Sequence, residues 1–99
     1  MSIQSLTDFS AAEPPAELSP PEQALWWLKK GGLKLGPEWE TAHEICQSRE
    51  GDMAHDWIHA LCHLIENDPG NAAYWFRRAG KPAGARDAET LWQDIAASI

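Results

Sequence analysis

Proline and glycine cut this chain into five short pieces, and that punctuation constrains the fold more than any other feature. Ser19-Pro20-Pro21-Glu22 has the form of a helix start: serine at the N-cap, proline in the first turn, and a glutamate placed to close a capping box. The helix it opens runs through ALWWLKK to Gly31-Gly32. A second follows Gly36-Pro37, roughly from Glu38 to Arg49, with Trp39, Ala42, His43 and Cys46 at i, i+3, i+4, i+7 spacing. Gly51 ends it, and Asp52 can cap a third over about 52–67. Asp68-Pro69 opens a fourth, closed by Gly80 and Pro82, and Asp87 can cap a fifth, ETLWQDIAAS. Nothing alternates with period two over a useful length. The expected fold is all-α: about five short antiparallel helices in a helical-hairpin bundle, with no sheet.

Residues 1–18, MSIQSLTDFSAAEPPAEL, mix Pro, Ser, Ala and Glu without sustained periodicity and read as a disordered acidic tail ahead of a single helical domain, 19–99. Of the net charge of -7, the first 22 residues hold four acids and no base, leaving eleven acids against eight bases in the rest. Such a surface repels a phosphate backbone, and the basic residues that cluster are only Arg77, Arg78 and Lys81, so nucleic acid is not an expected partner. No apolar run is long enough to cross a bilayer and no signal segment is visible, which places the expected location in the cytoplasm, away from membranes. Cys46 and Cys62 read as reduced core or boundary residues. Six tryptophans, at least one per expected helix, are expected to anchor the core, the alternative being an aromatic platform for a ligand.

The third helix contains most of the titratable chemistry. At about 100° per residue, Leu61 and Leu64 fall beside Trp57, with Ile58 and Ile65 on one flank, and this is the expected core face. His55, His59, Cys62 and Glu66 fall near the opposite pole, with His63 slightly to one side, and the clean split favours a polar face turned to water. The turn at Gly51 points elsewhere. His43 lies eight residues before it and His59 eight after, so a helical hairpin puts the two at one height, with His63 a turn away. His43, His59 and His63, with Glu66 ligating or orienting, form a ligand set that zinc or iron could use. A hydrogen-bonded histidine cluster and a solvated face remain the alternatives. His43-Glu44 begins an H-E-x-x-H motif, but Gln47 stands where its second histidine belongs.

The fourth helix, DPGNAAYWFRRAG, carries Tyr74, Trp75 and Phe76 in succession, which sweep about 200° and so cannot share one buried stripe. Arg78 lies one turn from Tyr74, where its guanidinium can cover the ring. Residues 57–80, WIHALCHLIENDPGNAAYWFRRAG, together with Trp39-Glu-Thr-Ala-His-Glu-Ile-Cys-Gln47, resemble the signature of a group of small bacterial proteins, with fungal relatives, that carry no assigned function. The positions recurring in that group correspond to His43, Glu44, Gln47, His59, His63, Glu66, Asp68, Asn71, Tyr74 and Trp75. His55 and Cys62 are not among them, and Leu64 and Asn67 stand where the group has a base and a glycine. The resemblance implies a helical fold and no activity. A weaker similarity, through AAYWFRRAGKP, runs to tetratricopeptide and Sel1-like helical hairpins, without their tandem repeat.

No G-x-S-x-G or other nucleophile motif is present, so a non-enzymatic role is expected. The fold class, the lack of nucleophile motifs and the composition of the acidic tail point first to a module that binds a protein partner with the help of that tail. The alternative is a metal-binding or acid–base site on His43, His59 and His63; a small-molecule pocket lined by tryptophans is a third reading.

Overall fold

The computed structural model describes residues 5–83 and 87–99. Five α-helices follow in order: α1 Pro20–Lys30, α2 Pro37–Gln47, α3 Met53–Ile65, α4 Pro69–Ala79 and α5 Ala88–Ser98, and the described residues contain no strand. Each begins where the punctuation places it. Glu22 Oε1 accepts the Ser19 N–H at 2.7 Å, the returning half of the capping box. Asp52, Asp68 and Asp87 cap α3, α4 and α5 by accepting the N–H groups of His55, Asn71 and Thr90.

The helix ends depend on backbone that glycine adopts most easily. Asn67 has φ 61°, and its N–H donates to Leu64 O at 3.0 Å while that of Asp68 donates to His63 O at 2.9 Å. These two bonds form the terminus usual for a left-handed residue, and Asn is the side chain best able to replace glycine there. Asn67, standing where the group has a glycine, therefore keeps the turn before Asp68 closed. Gly80, φ 72°, closes α4 in the same way.

Helix α3 is the centre of the domain and packs against α4, α2, α5 and α1. Nine consecutive residues, His55 to His63, are buried. The expectation of a wet histidine face is thereby overturned: His55, His59 and Cys62 are 3%, 2% and 0% exposed, whereas Leu64 and Ile65 from the expected core face are only partly buried. The wheel separated polar from apolar correctly, but with neighbours on several sides the helix has no water-facing pole over these residues. Consecutive helices pack as hairpins through α4, and α5 then returns to α3 and α1. No helix among the described residues is long and apolar enough to cross a membrane.

The tryptophans are used for packing. Trp26 and Trp92 are fully buried, Trp57 and Trp75 nearly so, and Trp27 and Trp39 pack against the core from its edge. Three indole N–H groups are spent on backbone carbonyls: Trp26 on Asp8 at 2.8 Å, Trp39 on Cys62 at 2.9 Å and Trp92 on Leu25 at 2.8 Å. The last links α5 to α1, as does the ion pair of Lys29 with Glu89. No pocket opens among the described residues, which leaves the tryptophan-lined pocket without a site.

The N-terminal segment departs from expectation. Residues 1–4 of the expected tail lie outside the described residues, but Leu6 and Leu18 are 1% and 3% exposed and belong to the core. A short 3-10 turn, Ser5–Thr7, seats Leu6 against α1. The Phe9 ring tilts over Trp26 at 5.4 Å, beside the Asp8 carbonyl that Trp26 holds. Two isolated leucines have no periodicity to announce them, so composition alone misreads the segment. Replacing Leu6 with alanine should lower the unfolding free energy by about 2–4 kcal/mol. Chemical denaturation checks this, and an unchanged midpoint would show that the segment is not part of the core.

Candidate metal centre

The α2–α3 turn sets the geometry of the site. Gly51 takes φ 99°, and its N–H donates to both oxygens of Asp56 at 3.1 and 3.2 Å, so a fully buried carboxylate clamps the turn from inside α3. Across the hairpin, Trp39 donates its indole N–H to the Cys62 carbonyl. The two contacts hold α2 against α3 at separate points, and with them the height of His43 relative to His59.

His43 and His59 then meet, with Nε2 to Nε2 at 3.0 Å and the rings nearly perpendicular. His63 stacks beside His59, centroids 5.0 Å apart and planes 20° apart, and lies 5.3 Å from His43. One ring nitrogen from each of the three falls within 4.8 Å of the other two. Two aromatic walls hold the group: Trp39 stacks on His43 at 4.8 Å and Trp75 on His59 at 3.9 Å. Arg78 lies over both Trp75 and its neighbour Tyr74. Its guanidinium lies 5.3 Å from the Trp75 ring and 5.8 Å from the Tyr74 ring, the latter the contact that the i, i+4 spacing predicts, and it donates to the Tyr74 hydroxyl at 3.1 Å.

Glu66 is paired with His63. Its Oε1 contacts His63 Nδ1 directly, which places the proton of a neutral His63 on Nδ1 and leaves Nε2 as its lone-pair nitrogen. His63, Glu66 and Asp68 also form a second group with mutually reachable ligand atoms. Asp68 is already engaged there, since its oxygens accept from the Asn71 N–H and side-chain amide, both at 3.2 Å.

His55 has no part in this group. Its Nδ1 pairs with Asp52 Oδ2 at 2.7 Å and its Nε2 is buried without a protein partner. Cys46 and Cys62 are buried free thiols. The Cys46 thiol hydrogen-bonded to it, together with burial, pushes Cys62 well above the ordinary thiol range, so it stays protonated and unreactive.

The environment favours neutral imidazoles. Burial first, and then the neighbouring His43 and His63, hold His59 down to about 3. His43 is lowered too, by desolvation and then by His63, against the pull of Glu66, Glu50 and Glu44. His59 Nδ1 is buried with no hydrogen-bond partner, which suits a ring that carries no charge. Hairpin symmetry about Gly51 brings His43, His59 and His63 within sight of a sequence reading. The stacking of Trp39 and Trp75 and the Asp56 clamp are not, because they depend on which side of each helix faces its neighbour.

The lowered histidines make stability depend on pH. In the unfolded chain His59 takes a proton below about pH 6.5, whereas in the folded protein it resists until about 3. Protonation thus favours the unfolded state across that window, and stability is complete above it and declines as pH falls. The thermal midpoint of metal-free protein should stay level above about pH 7 and drop between about pH 6.5 and 5. His59→Gln should flatten that drop. Equal slopes in the two proteins would show that His59 titrates normally when folded.

Compared with known proteins, the chain matches no family model, no curated protein and no solved structure.

Proposed function

We propose that this protein binds a divalent transition-metal ion, zinc or iron, through His43, His59 and His63. The observation that carries the reading is the convergence of three ring nitrogens within 4.8 Å at a place where the central one resists protonation. Two nitrogens on one tetrahedral zinc lie about 3.3 Å apart, and on neighbouring sites of an octahedral ion about 3.0 Å. The His43–His59 spacing of 3.0 Å already falls in that range. A hydrogen bond between two neutral rings has the same length, but it uses only two of the three histidines. Glu66 behind His63 is the carboxylate–histidine arrangement that fixes a ligand tautomer and raises its basicity.

A protein-interaction module has less behind it. The large apolar side chains exposed among the described residues, Phe9, Leu35, Met53 and Tyr74, come from four separate segments. The acidic segment offered as a partner-binding tail is partly laid on α1.

The test is isothermal titration of untagged, chelator-treated protein with zinc and with ferrous iron under argon. One ion per chain is expected, together with a rise in thermal midpoint, because an ion joining α2 to α3 stabilises only the folded state. His43→Ala, at the half-buried member of the group, should weaken binding at least about tenfold while leaving the helical circular dichroism intact. Less than about a tenth of an equivalent bound, for both metals, sinks the reading.

A further inference from the structure

Three imidazoles leave an ion short of both ligands and charge. Among the described residues, the other oxygen donors grouped with the cluster are Glu66, held on His63 Nδ1, and Asp68, held by Asn71 at the start of α4. Neither cysteine belongs to the group. A divalent ion on three neutral imidazoles keeps its whole double charge. Two of those ligands, His59 and His63, are only 2% and 8% exposed. Charge in such a place is costly, and although Glu66, Glu50 and Glu44 act on His43 through space, none of them belongs to the three-histidine group that would hold the ion.

We infer, building on the metal-binding reading, that the remaining coordination position takes a small anion from solution: hydroxide, or an exchangeable anion of a few atoms, bound directly to the ion.

Size follows from the surroundings. Trp39 and Trp75 lie flat against His43 and His59, so an anion that reaches the ion has to fit beside these two walls. Access follows from His43, the half-buried member of the group, at whose side water can reach the ion. With an ion held by the three histidines, water arriving there would lose a proton to solvent and stay as hydroxide, because a divalent ion stabilises the anion much more than the neutral molecule. The reaction is an acid dissociation, with no electron transferred. Substitution by another small anion releases that hydroxide to solvent.

Cobalt(II) tests both readings in the full-length protein, since its visible bands report the ligand set. With one cobalt bound per chain, azide should change the spectrum in a saturable way, at one anion per metal. Its apparent affinity should weaken about tenfold per pH unit once hydroxide competes. Bound cobalt with a spectrum indifferent to both azide and pH overturns the inference while leaving metal binding intact. If Glu66→Gln then restores the azide response, Glu66 is the fourth ligand and the position belongs to the protein. Failure to bind cobalt, zinc or iron at all overturns both proposals together.

Discussion

Everything in this domain depends on a central helix with no wet side over nine of its residues. Once α3 is surrounded, a polar group on that stretch depends on the protein for its partner, and one left without, as His55 Nε2 and His59 Nδ1 are, costs on the order of 1–3 kcal/mol. Asp56 meets this demand with the Gly51 N–H, His55 with Asp52, and His63 with Glu66. His59 has only His43, on the neighbouring helix. The cluster follows from the burial: three imidazoles turned inward from two helices have little else to face.

Much of the fold was legible in the residues. The Asp caps, the first-turn prolines and the glycine stops act within a few residues of themselves, so they can be read without knowing what packs where. Burial is a different kind of property. The polarity of His55, His59 and Cys62 says only that they differ from Trp57 and Leu61, and it cannot say that α2 and α4 cover them. Leu6 makes the same point in reverse. A lone apolar residue in a polar segment carries no period, and its place in the core comes from its seat against α1.

The candidate site was half legible for a related reason. Equal distances from Gly51 put His43 and His59 at one height, which is a matter of counting. Facing is settled by pairs far apart in sequence, such as Trp39 with Cys62 and Trp75 with His59. The tryptophans thus link stability and chemistry. The same rings that close the core also form the walls against which two of the histidines lie flat.

The Asp56 clamp bears on how this chain can vary. Loops on protein surfaces usually tolerate an added residue at small cost. The turn at Gly51 differs, because it is bonded from within to a buried carboxylate and it counts out the register of the hairpin. One extra residue there would displace the Gly51 N–H from the Asp56 carboxylate and release the register that keeps His43 opposite His59. The helices could still pack and the chain could still fold. In this protein the length of the five-residue connection between α2 and α3 is therefore as much a part of the site as the histidines.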